Sequence, residues 1–296
     1  MAAVETLLDY KSNTYTQCGE DGVIRRIFDV IGEGRRLCCE FGAWDGIYLS
    51  NTRSLIDRGW TGVFIESEPK RFADLQRTYP PGSRHTTIRA TVGASDCTLG
   101  RILAKHGVSE EIDFLSIDVD GEDYYIFKAL DVRPRLICVE AIYANRPDRL
   151  VENSRTDAVR AIGQPLALFA QAGAKLGYRL IGMTGTNAFF LRVDLGHDDA
   201  IPTLTPVEAY ELMTRHLDDT HRIWLYLMSP GWVSPWFHFD NPWASRRMLS
   251  IPLHVALRAR WQHRRPQTLP PAQHVTRFAK RVCRFVEARA RRLLAD

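Results

Sequence analysis

The sequence predicts an α/β fold: a mostly parallel β-sheet with helices on both faces and an antiparallel last strand. Three observations lead there. Between residues 36 and 141, short apolar runs alternate with helix-like stretches, which is the spacing of βαβ units. The runs are apolar throughout rather than at every second residue, as strands covered on both faces must be. The last two runs, "YRLIGM" and "NAFFLRV", are separated only by "TGT", a link that allows a hairpin but no parallel crossover.

The elements follow in chain order. "GEDGVIRRIFDVIG" sets Val23, Ile24, Ile27, Phe28 and Ile31 on one helical face and stops at Gly32. "RLCCEF" (36–41) is the first strand, followed by a helix around Ser50–Arg58. "GVFIE" (62–66) precedes a helix from Pro69 to Tyr79, with proline in its first turn. "TTIRATV" (86–92) leads to "TLGRILAKHG", "IDFLSID" (112–118) to "DYYIFKAL", and "RLICVEA" (135–141) closes the parallel set. After a polar loop come the helix "QPLALFAQAGAKLG" and the hairpin. From about Leu195 the texture changes. "LTPVEAYELMTRHL" is a helix capped by Thr205 with Pro206 at its first position. A segment rich in tryptophan and proline follows, with Trp224, Trp232, Trp236 and Trp243. The last stretch, "HVTRFAKRVCRFVEARARRLL", is a basic amphipathic helix. The domain expected from this pattern covers 14–195, with a helical extension over 196–296.

Charge is unevenly placed. The net charge of the 296 residues is +4, yet residues 255–296 hold eleven Lys and Arg against two acids, so the body is mildly acidic. Cysteines at 18, 38, 39, 97, 138 and 283 form no C-x-x-C pair. They read as reduced thiols of a cytoplasmic protein. No apolar run approaches the ~18 residues of a membrane span, and the N-terminus lacks the pattern of a signal peptide.

Ligands of open parallel sheets bind beyond the carboxyl ends of the strands. Here those ends carry Glu40, Gly42, Asp45 and Gly46 after the first strand, and Glu66, Ser67 and Glu68 after the second. Gly93, Ser95 and Asp96 follow the third, Asp118, Asp120 and Asp123 the fourth, and Glu140 the fifth. The set is acidic and has no basic cluster for a pyrophosphate. Its glycine spacing, E-x-G-x-x-x-G, is not that of a dinucleotide loop. A ribose, a sulfonium and an ammonium without phosphates suit such a crevice: the groups of S-adenosylmethionine.

Six blocks, "TQCGEDGVIRRIF", "CCEFGAWDGIYLSNT", "GWTGVFIESEPKRFADL", "DFLSIDVDGEDYYIFKAL", "RLICVEAIYAN" and "GYRLIGMTGTNAFFLR", together resemble the FkbM-type S-adenosylmethionine-dependent methyltransferases. The resemblance spans roughly residues 14 to 194 and keeps block order. It implies a Rossmann-like class I methyltransferase fold with a seven-stranded sheet. It also implies O-methylation of a sugar, glycolipid or polysaccharide, or polyketide-like hydroxyl. Cofactor contacts would come from Glu40, Gly42, Ala43, Asp45 and Gly46 on the methionine side, Glu66 and Ser67 at the ribose, Gly93 near the adenine, and Asp118.

For catalysis, Asp118 and Glu140 are the candidates, either as general base or as ligands of a Mg²⁺ ion. "QCGEDG" either folds over the cofactor or starts a helix with Glu20 and Asp21 at its positive end. The tryptophans either stack on sugar or pack a small domain or dimer seam. The basic tail suits an anionic membrane on the inner face or an acidic partner. Nucleic acid does not fit an acidic body. The rival reading is a non-catalytic methyltransferase-like scaffold tethered through that tail.

Overall fold

The computed structural model describes residues 5–109, 111–119, 121–141, 147–153 and 163–216. The tryptophan-rich segment, the basic tail with Cys283, and Asp120 lie outside them. Seven strands form one sheet: β1 (Leu37–Phe41), β2 (Thr61–Glu66), β3 (Thr86–Arg89), β4 (Phe114–Ile117), β5 (Leu136–Glu140), β6 (Tyr178–Met183) and β7 (Asn187–Arg192). Their order is β3-β2-β1-β4-β5-β7-β6. All pairs among β1–β5 are parallel, while β7 runs antiparallel to both β5 and β6. This is the sheet of the Rossmann-like class I methyltransferase fold. Its switch in strand order lies between β1 and β4, where a ligand crevice belongs.

Local sequence explains the helices. α1 (Glu20–Ile31) starts after Gly19 at φ 99° and stops at Gly32, φ 74°. Its Val23, Ile24, Ile27, Phe28 and Ile31 are buried. After the short α2 (Arg53–Asp57) comes α3 (Pro69–Thr78). Glu68 caps α3, accepting from the N–H groups of Lys70 and Arg71, and Pro69 fills the first position. α4 (Leu99–Lys105) and α5 (Asp123–Lys128) are short; α6 (Leu166–Leu176) ends on Gly177 in the left-handed region. In α7 (Pro206–His216), Thr205 N–H donates to Glu208 Oε2 at 2.7 Å and Glu208 N–H returns to Thr205 Oγ1 at 3.2 Å. That is a reciprocal capping box.

The core has two aromatic seams on opposite faces of the sheet. On the α1 face, Phe28 meets Trp60 at 4.7 Å and Phe114 at 6.3 Å between ring centroids. On the other face, Phe127 of α5 lies 4.8 Å from Phe190 and 5.8 Å from Phe169 of α6. β1 is buried at every position and β2 at all but its first, matching its continuous apolar sequence.

Two strands are shorter than their apolar runs. β3 ends at Arg89 rather than Val92 because its neighbour β2 ends at Glu66; the last rung, Ala90 N–H to the Glu66 carbonyl, is 3.3 Å long. Gly93, Ser95 and Asp96 therefore sit in a loop beyond the strand. β4 likewise covers only 114–117. At the chain's edges, the 3₁₀ turn Leu7–Tyr10 packs on α1, and α7, beyond position 195, packs on β6, burying Ala209, Tyr210 and Met213. Cys18, Cys38, Cys39, Cys97 and Cys138 are free thiols. Among the described residues no helix is long and apolar enough to cross a membrane.

Candidate active site

The turn after β1 folds back on the protein rather than standing open. Gly42 and Ala43 donate to the Ile65 carbonyl at 3.1 and 3.3 Å, tying the turn to β2. Gly42 has φ 75°, and a Cβ there would lie 1.8 Å from the Asp118 carbonyl oxygen. Gly46 has φ 72°, and its Cβ would lie 2.4 Å from the Tyr79 ring. Both glycines thus answer to protein contacts: β4 approaches the first and a tyrosine the second. Asp45 Oδ1 accepts from Ile47 and Tyr48 N–H at 2.9 and 2.8 Å, closing the loop as an Asx turn. Trp44 and Leu49 also take positive φ, 45° and 56°, which is strained for bulky side chains. Ala43 is buried, and Trp44 is exposed beneath the Arg71 guanidinium, 4.6 Å from its ring centroid.

The two glutamates at this end are both buried and both engaged. Glu40 accepts from Ser50 Oγ at 2.6 Å, Thr52 Oγ1 at 2.7 Å and Asn51 N–H at 2.9 Å. Asn51 in turn donates from Nδ2 to Ser116 Oγ on β4 at 3.1 Å. Burial pushes the Glu40 carboxyl above its ordinary range, while the bonds from Ser50, Thr52 and Asn51 pull against that shift. Glu66 accepts from Trp44 N–H at 3.0 Å and Glu68 N–H at 2.8 Å, one on each oxygen. The helix cap is therefore Glu68, and Glu66 instead joins the β1 and β2 turns. A carboxylate offers about four acceptor positions, of which these two donors occupy two. Ser67 is exposed beside it; Gly93 is half-buried, with open space around its Cα.

At the ends of β4 and β5 the chain brings acids together. Asp118, Asp123 and Glu140 each place a carboxylate oxygen within 4.8 Å of the others. Asp118 and Glu140 are half-buried and Asp123 is buried. Asp123 accepts from Val119 and Gly121 N–H at 2.8 and 2.9 Å, shaping the turn into α5. The field of this end is negative: burial first, then the charges of Glu20, Asp118 and Glu40, push the Cys138 thiol well above its ordinary value.

"QCGEDG" is anchored rather than free. Glu20 is fully buried and accepts from Cys18 N–H at 2.8 Å, Thr184 Oγ1 at 2.6 Å and Asn187 Nδ2 at 3.1 Å. Asp21 Oδ2 accepts from Thr14, Tyr15 and Thr16 N–H at 2.7, 2.8 and 3.2 Å. These acids fasten the segment before α1 to the β6–β7 hairpin. Glu20 and Asn187 were not among the sequence's candidate site residues. The only sequence signal for Asn187 was its place at the head of the last strand.

A cavity of about 230 Å³ lies elsewhere, between β6, the 7–10 turn and α7. It is lined largely by aliphatic groups such as Leu7, Leu8, Met183 and Leu212, and touches none of the strand-end acids.

The strand-end set is one of acceptors. Among the described residues, the turns after β1, β2 and β4 hold no Lys or Arg, while the connection after β5 carries Arg149. Carboxylate oxygens of this kind accept hydrogen bonds and attract positive charge.

No family model and no curated protein matches the chain. Among solved structures it is similar to an O-methyltransferase family protein from Burkholderia thailandensis, at 14% identity and TM-score 0.37, covering 58% of this chain and 56% of that one. It is also similar to CalS10, an amino pentose methyltransferase from Micromonospora echinaspora bound to SAM, at 10% identity and TM-score 0.39 over 62% and 99%. A third is the SAH-bound methyltransferase PaMTH1 from Podospora anserina, at 16% identity and TM-score 0.37 over 62% and 80%. The alignment thus spans little more than half of the Burkholderia protein, and the fold assignment rests on strand order and direction.

Proposed function

We propose that the chain is an S-adenosylmethionine-dependent O-methyltransferase of FkbM type, acting on a hydroxyl of a sugar, glycolipid, polysaccharide or polyketide-like acceptor. The observation that carries this reading is the acceptor-only set of carboxylates at the β1/β4 switch of a sheet whose β7 is reversed. Glu66 would take the ribose hydroxyls on its unused lone pairs, and the turn 42–46 would border the methionine part. Glu40, held inside the fold, would keep that turn in place.

S-adenosylmethionine supplies a methyl group on a positively charged sulfur. Bound here, it would give that methyl to the acceptor oxygen, with the carbon–sulfur electron pair left on sulfur. Asp118 or Glu140 would receive the hydroxyl proton, and the acidic strand ends would hold the positively charged sulfur. Mass spectrometry of glycans and metabolites from cells lacking the gene tests the reading. The expected result is a species lighter by one methylene unit, restored by the wild-type gene and not by a Glu66→Ala gene. An unchanged profile contradicts it.

A further inference from the structure

The cavity of about 230 Å³ beside β6 has one cationic side chain on its otherwise largely aliphatic wall, Arg26 of α1. Arg26 is half-buried. Its guanidinium lies 4.5 Å from the Tyr10 ring centroid, a cation–π contact that holds it in place. Among the described residues no acceptor takes a hydrogen bond from it and no acid pairs with it. The other described arginines that are not exposed are all paired: Arg53, Arg135, Arg179 and Arg192 each hold a carboxylate, at 2.9, 3.1, 3.4 and 2.6 Å. Glu5, the acid on the same wall, is exposed and acts on the Tyr10 hydroxyl, which it pushes above its ordinary pKa. β6 itself leaves room here. Its register with β7 shifts between Leu180 and Gly182, and Gly182 lines the cavity without a side chain to fill it. Gly182 lies outside the left-handed region, and a Cβ there would meet only Leu7 Cδ1, at 3.8 Å. Unlike Gly42, it answers to no close neighbour within the protein. In a strand such a glycine marks a bulge or a place that another molecule approaches.

We propose that this cavity binds a small carboxylate with an apolar body, its charged end on Arg26 and its hydrocarbon against Leu7, Met183 and Leu212. The planar guanidinium fork matches a carboxylate, and a single cation calls for a single negative charge. Volume sets the size of the body. A cavity of about 150 Å³ takes the six carbons of benzene, so one of about 230 Å³ admits roughly nine. A medium-chain fatty acid has that size and that charge. The cavity touches none of the strand-end acids, so the site is separate from the one read for methyl transfer and needs no methyl donor.

Calorimetric titration of the full chain with sodium octanoate, below its micellar concentration and without any nucleoside, tests it. One molecule per chain is expected. Affinity should fall about fourfold for each CH₂ removed toward butanoate and level off beyond roughly nine carbons. Octanol, which lacks the charge, and octanoate with Arg26→Gln should each bind about tenfold more weakly. Arg25→Gln, at the exposed neighbouring position, should leave binding unchanged. Gly182→Val puts a side chain into the cavity; it should keep or raise the melting temperature and abolish octanoate binding. No binding by the wild type, equal binding by Arg26→Gln, or affinity that keeps climbing to dodecanoate overturns the site. So does equal binding by a folded Gly182→Val; should that variant not fold, Arg26→Gln decides the case. Because S-adenosylhomocysteine is absent throughout, failure here leaves methyl-donor binding as a separate result.

Discussion

Gly42→Ala is expected to lower stability by about 3 kcal/mol or more, from two added costs. An alanine at φ 75° pays about 1–2 kcal/mol for the left-handed region. A Cβ placed 1.8 Å from the Asp118 carbonyl must also push β1 and β4 apart, and such overpacking costs about 1–3 kcal/mol. In a domain of this size that is a fall of roughly 6–12 °C in melting temperature. Gly59→Ala separates the two costs, since Gly59 has φ 94° with nothing within 4 Å. It should lose only the conformational part, about 1–2 kcal/mol. Equal loss in the two variants, by thermal or urea denaturation, would show that β4 yields to the new methyl group. The switch point would then not be the tight contact described.

Glu40→Ala comes next. It strips acceptors from Ser50 Oγ, Thr52 Oγ1 and Asn51 N–H at once, inside the protein where water cannot replace them. With about 1–3 kcal/mol for each donor left unpaired, and hydroxyls able to rotate, a net loss of about 3 kcal/mol is expected. Glu40→Gln keeps one acceptor oxygen and should cost less. The pair also differ from wild type in pH dependence. The folded carboxyl titrates above its ordinary value because of burial, so above that value the native state holds more protons than the unfolded chain. Stability from this group is therefore full at low pH and declines as pH rises through the folded pKa. Urea midpoints measured from pH 4.5 upward should show that decline in the wild type and lack it in Glu40→Gln. The same slope in both would place the titration elsewhere.

How much of this was legible in the sequence depends on how local each feature is. Buried parallel strands write unbroken apolar runs, so "LCCEF", "GVFIE" and "LICVE" show themselves. The three-residue link "TGT" can only join antiparallel neighbours. Strand ends are less legible: β3 stops where β2 stops, and nothing in "TTIRATV" records that. The acids at the strand ends were visible as a set, and Asp118 and Glu140 do come together. What each carboxylate faces was not. Glu40 could be read as facing a ligand until the loop 50–52 is seen folded onto it. Gly42 and Gly46 stand among the expected cofactor contacts, and the neighbours that require glycine there, the Asp118 carbonyl and the Tyr79 ring, come from distant segments. Asn187 shows the limit most clearly, since its pairing with Glu140 is a matter of register between strands distant in sequence.

Calorimetric titration of the chain with S-adenosylhomocysteine bears most directly on the claim that this acidic strand end holds a sulfur nucleoside. One molecule should bind per chain. Glu66→Gln, which keeps an acceptor for one of its two backbone partners but loses the charge, should weaken it by about 10–100-fold, as loss of a charge-assisted hydrogen bond requires. A folded wild-type chain that takes up no S-adenosylhomocysteine, or a Glu66→Gln variant that binds it equally well, contradicts the account.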